Sequence, residues 1–184
     1  MGSQIYMMQV DIKREKKRDY EEIEMLLKVI FNNDTVADLV TQLRGADSFI
    51  PRLARVAKIN NQIIGLVVCS NATIVKGRRS IDVLVLAPLA VLPAYQHLGI
   101  GGELIRNVFQ KARELEFQAV FVIGDEDYFP RFGFEPASNF DVSCNFDISN
   151  ENFMALELIP GALSNASGKL KLLPLFDHLP SFSL

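Results

Sequence analysis

The chain has 184 residues, 49% apolar and 22% charged, with a net charge of −3, the make-up of a globular protein with room for a sizeable core. That balance argues against a nucleic-acid surface, and no window reaches the roughly 18 apolar residues of a membrane span. Two cysteines, Cys69 and Cys144, form no disulfide framework and lack zinc-ligand spacing; a reducing cytoplasm fits both, and no signal-peptide core is visible.

In chain order, "MMQVDIKR" (7–14) alternates with period two and predicts a first strand. The basic run Lys13 to Arg18, interrupted by Glu15, reads as a solvated strand end. Asp19 followed by Glu22 has capping-box spacing, and Ile23, Leu26, Leu27 and Ile30 then share one helical face. Asp34 or Thr35 caps a second short helix, with Val36, Leu39, Val40 and Leu43 inward and Gly45 as its stop. Apolar-rich halves flank Asn60-Asn61, which predicts a hairpin. "IDVLVLAPLAVL" (81–92) is the most apolar strand, hence central and buried on both faces. Pro88 removes a ladder donor inside it, which predicts an interruption or splay.

After a glycine cluster, Leu104, Ile105, Val108, Ala112 and Leu115 form the stripe of an amphipathic helix, with Glu103, Arg106, Asn107, Gln110 and Arg113 opposite. "QAVFVI" (118–123) is a buried strand and "GDEDYFPRFGF" (124–134) a compact connection whose acids, Asp125 to Asp127, read as a helix start rather than a cation site. "FMALELIP" (153–160) is a late strand. The tail, about 161–184, has no clean period, but its Leu and Phe content predicts that it packs on the body. The order describes one α/β domain, 1–184, built on a single mixed sheet. Its apolar late strands and tail offer an interface for homodimerisation.

The junction "AVLPAYQHLGIGGELI" (90–105) carries the functional signal. A helix start leaves N–H groups without intrahelical partners, and glycine lets a phosphate approach them. The P-loop motif fails because no Lys or Ser/Thr follows the glycines, and the dinucleotide fingerprint that starts at Gly99 and Gly101 meets Leu104. Gln96-His97-Leu98-Gly99-Ile100-Gly101 matches every fixed position of Gln/Arg-x-x-Gly-x-Gly/Ala.

With the strand end "LAVLP" before it and "RFGFEP" beyond the next strand, this hexamer resembles the coenzyme A pyrophosphate loop of the GNAT superfamily of N-acetyltransferases. "VIGDEDYFPRFGFEPAS" and "FMALELIPGAL" are similar to its YhbS-like branch. The resemblance implies a three-layer α/β domain with a central mixed, splayed sheet flanked by helices, of the acyl-CoA N-acyltransferase type. It implies acetyl-CoA as cosubstrate, no metal, and transfer of acetyl directly to a primary amine of a small molecule or protein. Nucleic acid and membrane are not among the partners expected.

Carried onto this chain, the resemblance assigns the diphosphate to Gln96, His97, Leu98, Gly99, Ile100, Gly101 and Gly102. It assigns the pantetheine arm to Leu89, Ala90 and Val91 by strand-like pairing, and the oxyanion to the Val91 N–H. The tyrosine that members use as general acid falls on Phe129, which cannot donate; Tyr128 stands beside it. Tyr128 serves as acid with Phe129 over the coenzyme arm, or solvent protonates the thiolate, or the chain is a non-catalytic acyl-CoA-binding regulatory module. The central strand has no Glu, and its one carboxylate, Asp82, lies far from the loop, so water relays the amine proton. Phe31, Phe49 and Phe153 are acceptor-site or core residues; His97 reads as exposed, and Arg78, Arg79 and Arg131 as surface arginines.

Overall fold

The computed structural model describes residues 9–178. The chain runs β1 (Asp11–Arg14), α1 (Tyr20–Phe31), α2 (Thr35–Leu43), β2 (Phe49–Ile59), β3 (Gln62–Lys76), β4 (Arg79–Val91), α3 (Ile100–Glu114), β5 (Ala119–Ile123), β6 (Glu135–Pro136), β7 (Val142–Ser143), β8 (Phe153–Glu157) and β9 (Gly168–Lys171). The sheet order is β1-β2-β3-β4-β5-β8-β6, antiparallel except where β4 meets β5. Residues 7 and 8 of the expected first strand, and 179–184 of the tail, lie outside the described residues.

Two apolar layers sandwich this sheet. Ile23 and Leu27 of α1 and Leu39 and Leu43 of α2 pack with Val56, Leu66, Val85 and Phe121 on one face. Leu104, Ile105, Val108 and Phe109 of α3 pack with Val67, Leu84, Val120 and Met154 on the other. The period-two alternation of β4 feeds both layers, which is why Val83 to Pro88 are all buried. The mixed, flanked sheet inferred from the sequence is therefore present. Asn60 and Asn61 take φ of 48° and 69°, the left-handed pair that closes the β2–β3 hairpin.

Two local expectations at the N-terminal end need correcting. Asp19 precedes α1, but its carboxylate makes no capping bond to that helix. It accepts the Lys16 N–H (2.9 Å) and the Lys58 ammonium (2.7 Å), while Glu22 accepts the Ile63 N–H (2.7 Å). Partners from the sheet have outcompeted the local box. Nor is the basic run wholly solvated: Glu15 is buried and receives Arg44 through two bonds, 3.1 and 2.8 Å, with that guanidinium 3.7 Å above the Tyr20 ring. At the next helix, Asn33 rather than Asp34 or Thr35 takes the Thr35 N–H (2.9 Å).

The tail holds a strand that its composition hid. β9 runs antiparallel to Thr73–Val75 of β3, and β7 adds parallel to β9. Leu163, Ala166, Leu170 and Phe176 are buried in the α1–α2 layer.

Pro88 does interrupt β4. Leu86 faces Cys69 and Leu89 faces Val67, so Ala87 and Pro88 together oppose Val68, a bulge. On the other edge, β4 pairs with β5 only at Leu84–Val120 and Val85–Phe121. Past those pairs the two strands part.

Candidate active site

The gap opens where β4 outruns β5. The Leu92 N–H donates to the Ile64 carbonyl (2.9 Å), and Val91 lies opposite Gly65. In an antiparallel ladder successive residues turn their backbone groups to alternate sides. Leu92 and Ala90 therefore face β3, whereas Leu89 and Val91 point their N–H and C=O groups away from it, into the gap.

The loop after β4 folds back over that edge. A 3₁₀ turn, Pro93–Tyr95, reverses the chain, and Gln96 Nε2 donates to the Val91 carbonyl (3.0 Å). His97 (φ 62°) and Gly99 (φ 83°) adopt left-handed backbone, which directs the chain into α3. The Glu103 N–H is bonded to the Gly99 carbonyl (3.0 Å), so the amides of Ile100, Gly101 and Gly102 precede the first helical bond. Three N–H groups at the positive end of a 15-residue helix thus face outward beside the Leu89–Val91 edge.

The connection after β5 forms the opposite wall. Asp125 ties its start: its side chain accepts the Asp127 N–H (2.8 Å) and its carbonyl the Tyr128 N–H (3.1 Å). Asn152 clamps Gly124, donating to its carbonyl (2.8 Å) and accepting its N–H (2.9 Å). Phe129 lies against the Gly124 α-carbon, leaving no room for a side chain there, and meets Phe134 edge-on with centroids 5.6 Å apart. It is buried. Tyr128 stands perpendicular to Phe129 and is only half-buried. A methyl group built on Gly101 would lie 2.5 Å from the Tyr128 hydroxyl and 3.9 Å from Val91 Cγ2. Val91, Gly101 and Tyr128 consequently converge on one spot. Burial raises the Tyr128 phenol above its ordinary value of 10.0, against a smaller lowering by Arg131 and Arg106.

The resulting cleft encloses about 750 Å³, a volume suited to a small organic ligand or cofactor arm. Leu89, Val91, Gln96, His97, Gly99, Ile100, Gly101, Gly102, Tyr128 and Phe129 all line it. Two residues assigned from the family resemblance do not. Ala90 turns its backbone to β3 and buries its methyl in the α1–α2 layer. Leu98 is 59% exposed outside the cleft.

Arg106 and Tyr95 are lining residues that the sequence reading did not select, and Arg131 one that it set aside. The spacing held the signal for Arg106: it is four residues after Gly102, where a methyl group would meet its guanidinium at 3.2 Å. Arg131 Cζ lies 4.7 Å from the Tyr128 ring centre. Asp82 is at the far end of β4, accepting the Thr73 hydroxyl (3.3 Å). Phe153 stacks on Phe121, and Phe31 and Phe49 pack against the same core layer. Among the described residues no group of His, Cys, Asp and Glu side chains is placed to hold a metal ion, and no helix is long and apolar enough to cross a membrane.

Comparison with known proteins agrees with this geometry. Residues 12–134 match the model of the acetyltransferase (GNAT) family. The chain is 37% identical over 123 residues to the uncharacterized N-acetyltransferase YjhQ of Escherichia coli K12, covering 66% of this chain and 67% of that one. It is 31% identical over 150 residues to the uncharacterized N-acetyltransferase YhbS of the same strain, covering 82% and 88%. Among solved structures, E. coli YhbS in complex with CoA superposes with a TM-score of 0.90 at 26% identity over the full length of both chains. A GNAT family acetyltransferase from Brucella melitensis in complex with acetyl-CoA gives 0.75 at 27% identity, covering 92% of this chain and 99% of that one.

Proposed function

Because the chain belongs to the acetyltransferase (GNAT) family, we propose that it moves the acetyl group of acetyl-CoA directly onto a primary amine of a small molecule or protein. The observation that carries this reading is the pairing of two features. Leu89 and Val91 turn their backbone groups into the β4–β5 gap, immediately beside the open amides of Ile100, Gly101 and Gly102.

That arrangement fits coenzyme A. The amides at the start of α3 hold its diphosphate, with the helix dipole behind them and the Arg106 and Arg131 guanidiniums on the cleft wall. Leu89 and Val91 offer the donors and acceptors that an extended amide chain needs to add as a strand. Gln96 secures the Val91 carbonyl, while the β3–β4 ladder sets the direction of the Val91 N–H. Bound there, acetyl-CoA supplies an activated carbonyl and a thiolate leaving group.

This chain's residues then have three tasks. The Val91 N–H hydrogen-bonds the acyl oxygen as negative charge grows on it. The Tyr128 hydroxyl, kept protonated by burial, delivers a proton to the leaving sulfur. Phe129, without a donor and packed on Gly124, forms part of the cleft wall. An alkyl amine of pKa about 10 loses its proton to water, as β4 brings no carboxylate to the gap; the two carboxylates that line the cleft, Asp125 and Asp127, stand on the opposite wall.

Calorimetry with coenzyme A, paired with thiol titration over a panel of amines, tests this reading. Binding together with thiol release above hydrolysis for at least one amine supports it. Binding with no release for any amine would make the chain an acyl-CoA-binding regulatory module, and no binding would overturn the assignment of the cleft.

A further inference from the structure

We propose that a second cleft, at the tip of the β3–β4 hairpin, binds a small organic anion: a carboxylate or phosphate on an apolar body. It encloses about 910 Å³ and shares no lining residue with the active-site cleft. Ile81 of this cleft and Leu89 of the active-site cleft are eight positions apart on β4, so the two clefts lie roughly 25 Å apart along one strand. The site is therefore distinct from the cleft proposed for the coenzyme, and its test does not depend on that assignment.

Three walls are tied together, which makes the cleft a built feature. Lys76 Nζ donates to Ser167 Oγ (2.6 Å), joining the hairpin to the tail segment. The Gly168 N–H donates to the Asp141 carbonyl (3.0 Å), joining that segment to the third wall. Gly168 presses so near β3 that an added methyl would stand 2.6 Å from the Val75 carbonyl oxygen. The Glu157 carboxylate accepts the N–H groups of Gly161 (2.9 Å) and Leu163 (2.7 Å), fixing the turn that leads in.

The chemistry of the lining selects the ligand. Ile74, Ile81, Phe140, Leu163 and Ala166 supply an apolar floor. At the rim stand Lys76, Arg78 and Arg79, with Asp141 as the one acidic lining residue. Among the described residues, none of these three cations enters an ion pair. In a chain of net charge −3, this is a local concentration of positive charge over a greasy base. Two arginines lining one cleft suit a carboxylate or phosphate head, and the floor suits its hydrocarbon part.

Amide NMR spectra of the full chain, titrated with phenylacetate, phenyl phosphate, benzyl alcohol and inorganic phosphate, test the site. Saturable shifts confined to residues 74–81, 139–141 and 163–168, with phenylacetate or phenyl phosphate at a Kd on the order of 1 mM or tighter, support it. The two aromatic anions distinguish a carboxylate site from a phosphate site. The Arg78→Ala/Arg79→Ala variant should weaken that binding roughly tenfold or more while coenzyme A binds as before. The proposal is overturned if no shifts appear in the cleft, if benzyl alcohol or inorganic phosphate matches the aromatic anions, or if the double variant binds them unchanged.

Discussion

The Tyr128 hydroxyl lies against the α-carbon of Gly101, close enough that an alanine methyl would stand 2.5 Å from the oxygen. The contact crosses the active-site cleft, from the β5 connection to the start of α3. Gly101→Ala must push the phenol away, and the phenol is the free end of a side chain, so the fold absorbs the change. We expect the melting temperature to move by only a few degrees, about 1 kcal/mol or less, while kcat falls about tenfold to a hundredfold. In a Tyr128→Phe background the same glycine change should cost little more. A double-mutant cycle on kcat reads that coupling; additive losses would show that Gly101 acts independently of Tyr128.

Tyr128→Phe alone should lower kcat by about a hundredfold or more, with the affinity for coenzyme A little changed. The pH profile carries the sign. Burial raises the phenol above 10.0, so the donating form persists across the neutral and mildly alkaline range and is lost only as pH climbs through that raised value. An alkaline fall in wild-type kcat that is missing from Tyr128→Phe identifies the group; identical profiles would remove Tyr128 from the proton path.

Phe129→Tyr places a hydroxyl where the family resemblance would seek one. The ring is packed on Gly124 and Phe134, so the new hydroxyl enters an apolar pocket and should cost about 1–3 kcal/mol of stability in urea titrations. It should not rescue turnover in Tyr128→Phe. Rescue would mean that position 129, not 128, addresses the sulfur.

The Asp19–Lys58 pair gives the fold an acid-sensitive joint between the start of α1 and β2. Burial pushes the Asp19 carboxyl up, but the Lys58 and Lys16 hydrogen bonds and the charges of Lys58 and Arg18 outweigh it, so it ends below its ordinary 3.8. A depressed carboxyl stabilises the native state above the unfolded-state value and loses that contribution as pH falls through the folded-state value. Asp19→Asn, which leaves Lys58 buried without its partner, should cost about 3–5 kcal/mol at pH 7. The gap between wild type and variant should narrow below about pH 4. A gap that stays constant from pH 7 to pH 3 would refute this account.

Periodicity and turn chemistry made most of the framework legible before any coordinates. The Asn60-Asn61 hairpin, the α3 stripe and the break at Pro88 are each written in a few adjacent residues. The loop proposed to hold the diphosphate stood out for the same reason, since a helix start and its glycines are contiguous. What stayed hidden depends on distant partners. Asp19 looks like a cap because Lys58, 39 residues later, is invisible locally. β9 is only four residues long and gains its identity from β3. That the Tyr128 hydroxyl meets Gly101 while Phe129 packs on Gly124, itself held by Asn152, depends on partners that nothing in "DYFPRF" specifies.

β3 is longer than its hairpin partner, and one of its edges is completed in two instalments: β2 covers it as far as Ser70, and β9 takes over from Thr73 to Val75. Ribosomal synthesis delivers those instalments more than a hundred residues apart. Throughout that interval the nascent protein displays a bare, β-branched ribbon edge, the kind that recruits other ribbons. Folding on the ribosome thus leaves a temporary adhesive margin, which is sealed only when Gly168–Lys171 emerges from the exit tunnel.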